Sequence, residues 1–399
     1  MRLIPLKNGK NYRKAYYFAT YGAAFVALGL GLSAIGPMLP YLADRVSASL
    51  SQISFVFTAS SLGYLIGSTG GGRLYDRFKG HVLMFIALLF SILMVFLIPL
   101  TVEIYVLLGI VFLLGIGQGA LDVGANVNIL WVYGAQVGPF MNALHFSFGV
   151  GAFIAPIILH QVMRWSGGGL SWPFWTLAIL SIPALLGFWV LPSPKNPEKD
   201  SEVTGSPSTN TGLVVAMVIL FFLYCGVEGG FGGWIFTYVT ETNIASETNA
   251  SYINSVFWGA LTLGRLISVR LARNIKPAQL LTGNFTLAIL FFGLILIFPL
   301  SPWVIWIGSA GLGLALSSVF PTLLVLGESR LRISGSVTGL FFLGVSLGGT
   351  LIPMLLGQIF EFIGSYQVML ALMVLTGLGM LVLFALIFAS NRLGEKVRN

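Results

Sequence analysis

Twelve long apolar runs, separated by short polar stretches, constrain this chain more than any other feature. They fall near 16–42, 52–72, 82–100, 104–131, 138–163, 172–191, 213–240, 250–271, 278–299, 303–326, 334–359 and 366–390. A helix needs about 20 apolar residues to cross a hydrocarbon layer. Lipid-exposed backbone must satisfy its own hydrogen bonds, so runs of this length and character fold as helices. The alternating pattern of a membrane barrel is absent. Only 9% of the 399 residues are charged, against about 25% in soluble domains. That balance excludes a soluble enzyme, a nucleic-acid binder and a disordered chain. The first run is longer than a signal-peptide core and lacks a small-residue cleavage site, so it is read as an uncleaved first helix.

The basic residues set the orientation. With an even number of spans both ends of the chain share one side. Nineteen of the 21 Lys and Arg residues fall on that side, and only Arg45 and Arg164 fall on the other. The expected topology therefore puts both termini in the cytoplasm, in the inner (plasma) membrane. The net charge of +8 then reflects topology and contact with anionic lipid rather than a nucleic-acid surface. The single cysteine, Cys225, sits in an apolar run and reads as an inert core thiol.

Residues 192–212 are rich in Pro, Ser, Thr and charge, and read as a cytoplasmic linker between halves 1–191 and 213–399. The halves match at one ungapped offset. Adding 197 carries Tyr41 to Tyr238, Asp44 to Glu241, Gly67 to Gly264, Gly151 to Gly348, Pro156 to Pro353 and Gln161 to Gln358. The fold class predicted is an all-α membrane protein of twelve transmembrane helices in two pseudo-symmetric six-helix halves. That is the plan of a transporter whose halves rock about a midplane site.

The loop after the second run reads GGRLYDRFKG, residues 71–80. Its Gly72, Asp76, Arg77 and Gly80 resemble the signature loop of the major facilitator superfamily, with His81 where a further basic residue is common. Such a loop gates by locking one conformation through ion pairs; a plain positive-inside loop is the simpler alternative. The second-half counterpart, GRLISVRLARNIKP, lacks the aspartate. A narrower resemblance rests on ALDVGAN and NALHFSFGVGAF within 112–160, and on YCGVEGGFGGWIFTY and TGLFFLGVSLGGTLIPMLLGQ further on. These are similar to the fucose/galactose/glucose symporter branch, most of all to its sodium-dependent glucose transporter type. The resemblance implies the major facilitator fold and alternating-access uptake of a neutral sugar, driven by an ion gradient.

The residues point to a compatible site. Of 13 acidic residues, only Asp122 and Glu228 lie well inside spanning runs, where an ionisable group is costly and usually functional. Gln118, Asp122 and Asn126 recur every four residues and share a helix face. Asn142 and His145 share a face of the next run, and His145 lies at a depth where it could meet Asp122. Asp122, Glu228 and His145 are the candidates for cation coupling, with helix–helix glue as the alternative. Gly226, Gly229, Gly230, Gly232 and Gly233 surround Glu228 and permit close approach or local unwinding. Gln118, Asn126, Asn142, Asn254, Asn284 and Gln358 are candidates for sugar hydroxyls, with Gln161 weaker. Trp234, Trp258, Tyr238 and Phe231 are candidates for stacking on a sugar's C–H face. The other seven tryptophans read as interface-belt residues.

The central parts of the runs carry no Lys or Arg, and Arg265 is placed toward a cytoplasmic end. An anionic substrate would want a buried cationic clamp, so a neutral one is preferred. No GxxxxGK[ST] loop occurs, and no resident cofactor or metal is expected beyond the transported Na⁺ or H⁺. No nucleophile–base set appears, which argues against an enzyme. The expected partners are a small neutral sugar and the bilayer, with the protein a monomer. A proton-coupled exporter of drugs or lipids with the same fold stays open as the alternative, as does a non-transporting membrane scaffold.

Overall fold

A computed structural model describes residues 9–75, 77–194, 211–330 and 335–398. The described residues form fourteen α-helices and no strand. The first half contains α1 (Gly9–Arg45), α2 (Leu50–Ile53), α3 (Phe55–Tyr75), α4 (Gly80–Leu97), α5 (Ile104–Tyr133), α6 (Val137–Trp165) and α7 (Ser171–Val190). The second contains α8 (Thr211–Glu241), α9 (Glu247–Asn274), α10 (Pro277–Ile297), α11 (Pro302–Leu316), α12 (Val319–Arg330), α13 (Gly335–Phe362) and α14 (Ser365–Arg398). The short α2 continues into α3, and α11 into α12, so the helices make twelve crossings. The start of α1 and the end of α14 then lie on one face, here the termini face; the opposite one is the far face. Asp76 and residues 195–210 of the linker lie outside the described residues.

Eleven of the crossings are long and apolar enough to span a membrane. The twelfth, α9, is long but more polar. It carries Ser251, Asn254, Ser255, Thr262 and Arg265, and the first four of these are buried. Its polar side chains face protein, so low hydropathy is compatible with a spanning helix. Trp165, Trp172, Trp189 and Trp303 are exposed at helix ends, as belt residues should be.

Helix pairing repeats between the halves. α1 packs on α6 as α8 packs on α13, α3 on α5 as α9 on α11, and α4 on α7 as α10 on α14. Across the halves, α6 lies on α9 and α3 on α13. Without a hydrophobic drive between helices in lipid, close approach relies on small residues. A Cβ added at Gly151 would lie 2.2 Å from the Val26 carbonyl, and one at Gly348 would lie 2.0 Å from the Phe222 carbonyl. The offset pair thus does one job twice. In α3 and α5, Gly63 and Gly119 are as tight: a Cβ would lie 2.0 Å from the Phe112 carbonyl and 2.2 Å from the Tyr64 carbonyl, respectively. Gly63→Val or Gly119→Val must push α3 off α5. Overpacking costs about 1–3 kcal/mol, so thermal unfolding of a chain this long should fall by roughly 1–4 °C. A Tm within a degree of wild type would mean the two helices sit further apart.

Candidate functional site

Two helices bring the first constellation together. Asp122 lies in the middle third of α5, and its Oδ2 accepts a 2.5 Å hydrogen bond from the Tyr64 hydroxyl of α3. Asn126, one turn along, donates from Nδ2 to Asp122 Oδ1 at 3.1 Å and to the Asp122 carbonyl at 3.0 Å. The glycines that seat α3 on α5 set the register that lets Tyr64 reach this carboxylate. Both donors are neutral. No ion pair to Asp122 occurs among the described residues. The charge is solvated by two hydrogen bonds and balanced by none.

A second constellation forms in the other half. Glu228 of α8 accepts from the Tyr224 hydroxyl, one turn below it. Its Oε1 lies 3.7 Å from Nη2 of Arg265 on α9, with the side chains 16% and 28% exposed. This corrects the expectation that no cation reaches the central region. Arg265 starts nearer the termini face, but its long side chain carries the guanidinium to Glu228. His145 of α6 is exposed and lies within electrostatic reach of Arg265. Its ring stands edge-on to Phe25, with centroids 5.5 Å apart. The expected meeting with Asp122 is not among its contacts, since the partners of Asp122 come from α3 and α5.

The halves touch from mid-depth to the far face. At mid-depth, among the described residues, Ser61 donates to the Gly349 carbonyl at 3.2 Å and Gly149 sits against Thr262. His145 and Asn142 lie on the termini side of this line, and both are exposed.

The remaining candidates are dispersed. Gln118 is buried and faces a cavity of about 20 Å³ inside the first half, lined also by Gly31, Ser91 and Ser181; that is room for one water. Asn254 is fully buried, donating to the Gly232 carbonyl at 2.6 Å, and Asn284 is buried, donating to Ser318 Oγ at 2.6 Å. Trp234 is fully buried, donates from Nε1 to the Pro353 carbonyl at 2.8 Å, and stacks on Phe360. Tyr238 and Phe231 are buried as well. Trp258 is half-buried over Gly232. Gln358 spends its amide on Ser51 and Ser54 across the halves, and Gln161 donates to Tyr252. Sequence reading missed Tyr64 and Tyr224. The signal for Tyr224 was its place one turn before Glu228; nothing in the sequence tied Tyr64 to α5.

In the signature loop, Asp76 lies outside the described residues. Gly72 has open space around it, and Arg77 is exposed. Gly80 is needed for packing, because a Cβ there would lie 2.2 Å from Asn128 Oδ1. His81 is buried. Its Nδ1 lies 2.9 Å from the Leu191 carbonyl, which can only accept, so a neutral ring takes the Tyr21 hydroxyl on Nε2 at 2.7 Å. It joins α1, α4 and the segment after α7 rather than supplying a loop charge.

Residues 21–353 match the Major Facilitator Superfamily. The sodium-dependent glucose transporter 1 of Homo sapiens is 27% identical, over 84% of this chain and 72% of that protein. Its Danio rerio namesake is 29% identical over 92% and 68%. The major facilitator superfamily domain-containing protein 4A of Homo sapiens is 26% identical over 87% of each. Among solved structures, the nucleoside transporter NupG superposes with a TM-score of 0.76 at 15% identity, covering 93% of this chain and 99% of that one. A bacterial homolog of the human lysosomal transporter Spinster, inward-facing and occupied, gives 0.77 at 13% identity, over 96% and 97%. The fold, the paired polar constellations at depth and these matches agree: the chain belongs to the major facilitator superfamily and is a multi-pass membrane transporter, not an enzyme.

Proposed function

We propose that this transporter takes up a neutral hexose together with Na⁺ or H⁺, by alternating access between its two halves. The observation that carries the reading is Asp122: a carboxylate at depth, held by two neutral donors and, among the described residues, by no cation. Such a charge is expensive in a membrane, and a transported cation or proton would offset it. Glu228 already has Arg265, so Asp122 is the coupling residue, and His145 and Glu228 tune the site around it. The paired Glu228 and Arg265 add no net charge, which suits a neutral solute. Asn126, Asn142 and Arg265 are the groups assigned to its hydroxyls in this reading. The names of the relatives favour a sugar over other neutral solutes. The distribution of Lys and Arg supports a cytoplasmic termini face, and the plasma membrane is the membrane this reading takes.

The test is uptake of radiolabelled glucose, galactose and fucose into proteoliposomes under an imposed inward Na⁺ or H⁺ gradient. Accumulation above equilibrium under one gradient is the expected result, and it names the ion. Folded protein that accumulates no hexose under either gradient would refute the sugar reading. Proton-driven efflux of an apolar drug or lipid would replace it with export.

A further inference from the structure

The far face is closed by one residue type used twice. The offset of 197 carries Ser49 onto Ser246, Ser51 onto Thr248, Gln52 onto Asn249 and Gln161 onto Gln358. Ser49 and Ser246 each cap a helix start, accepting from the backbone N–H of Gln52 and Asn249. Each capped turn is then gripped from the opposite half. Gln358 of α13 accepts from Ser51 Oγ at 2.6 Å, and its Nε2 donates to the Ser51 carbonyl at 3.0 Å and to Ser54 Oγ at 3.3 Å. Glu361, one turn on, accepts from the Ser51 N–H at 3.3 Å. On the other side of the pseudo-twofold, Gln161 of α6 donates to the Tyr252 hydroxyl at 3.1 Å, and its neighbour His160 meets Thr248 Oγ1 at 2.8 Å.

We propose that Gln161 and Gln358 are the two arms of a latch that holds the far face shut, and are not ligands of the transported solute. This goes beyond the sugar reading and rests only on the chain's being a two-half transporter. Three observations support it. Both amide N–H groups of Gln358 are already engaged by the other half, so neither is free for a hydroxyl of cargo. The grip falls on capped, pre-ordered helix starts, which can be released and re-made without unfolding. The bonds of the two glutamines are neutral, so their groups can be solvated by water when the face opens, without the cost of separating an ion pair.

The arms are unequal. A Cβ at Gly357 would lie 2.3 Å from Ser54 Cβ and 2.8 Å from the Trp234 ring. Glycine lets the α2–α3 junction close down on Gln358. The counterpart of Gly357 at the offset is His160, a large side chain, and among the described residues Gln161 bonds to Tyr252 alone. The Gln358 arm is therefore the stronger one.

The experiment reads opening directly. In full-length Cys225→Ser protein, the chain's one cysteine is gone, and Ser255→Cys places a reporter at a position 1% exposed beneath the closed face. A membrane-impermeant maleimide is added to sealed vesicles from the side opposite the termini. Gln358→Ala should speed labelling by about tenfold and Gln161→Ala by less, with the double variant fastest, as a shifted two-state equilibrium requires. Ser51→Ala and Gly357→Ala should raise the rate too. The second keeps every hydrogen-bonding group and presses Ser54 and the Trp234 ring away, so it tests the latch even where Gln358→Ala fails to fold. Labelling at the wild-type rate in folded Gln358→Ala and Gly357→Ala would overturn the proposal. A raised KM for hexose in Gln358→Ala with unchanged labelling would make Gln358 a cargo ligand instead. Absence of hexose uptake in the wild type leaves this readout intact and bears only on the sugar reading.

Discussion

Asp122→Asn should abolish gradient-driven accumulation while leaving a folded protein. Asparagine keeps the size of the side chain and one carbonyl oxygen, so the hydrogen bond from Tyr64 or the one from Asn126 can persist. What it removes is the charge. A monovalent cation descending about 100 mV and a tenfold concentration gradient releases roughly 3.7 kcal/mol, enough to hold a neutral solute at a several-hundredfold excess. With no titratable or cation-binding group at that place, the free energy has no route to the solute, and the accumulation ratio should fall to near one. Exchange of solute at equal concentrations should survive, since it needs no net coupling. Purified Asp122→Asn that still concentrates hexose would move the coupling site to Glu228. Tyr64→Phe gives a weaker version of the same test. It strips one of two side-chain hydrogen bonds to the carboxylate, and should shift the cation dependence of uptake without ending it.

The fold was legible because it is dictated by solvent. Apolar runs of spanning length leave helices as the outcome, and the run at 16–42 and the helix Gly9–Arg45 differ only in how far the polar ends extend. The offset of 197 carried physical content wherever a residue type is demanded by close packing. Gly151 and Gly348 recur because backbone carbonyls pass within about 2 Å of where a Cβ would stand. Breaks inside a span were not legible. Ser54 and Ser317–Ser318 interrupt their helices within apolar surroundings, and the single-run reading passed over both.

The site was legible only along single helices. Asn126 to Asp122 is a spacing of four, and the structure keeps it as a hydrogen bond. Contacts between helices depend on rotation and depth, which one sequence does not encode. So His145 was expected beside Asp122 and lies instead near Arg265, and Tyr64 was passed over. Depth misled as well. Counting residues locates a Cα, but a side chain as long as arginine's displaces its charge by more than a helical turn, and this is how Arg265 reaches Glu228. The buried amides and aromatics were harder still. A polar residue in a spanning run is equally consistent with cargo binding and with helix–helix hydrogen bonding. Asn254, Asn284 and Trp234 bond to other helices in this state.

The Glu228–Arg265 pair supplies the other large effect. Arg265→Ala should lower the unfolding temperature and stop uptake together, because it leaves Glu228 mostly buried with only the Tyr224 hydroxyl for company. Removing one partner of a buried pair is far worse than removing both. The double variant Glu228→Gln with Arg265→Gln should therefore regain stability to within about 1 kcal/mol of wild type. Uptake separates the two roles the pair can have. Arg265 is 28% exposed and its one ion-pair contact is long, at 3.7 Å. A guanidinium has five N–H donors, more than this one contact can engage. A hydrogen bond from a charged donor to cargo is worth about 1.5–3 kcal/mol. The double variant should then fold normally but show a KM raised at least tenfold, with Asp122-dependent coupling intact once solute is saturating. A double variant that is stable and keeps the wild-type KM would make the pair a brace between α8 and α9, and would leave Asn126 and Asn142 to hold the solute.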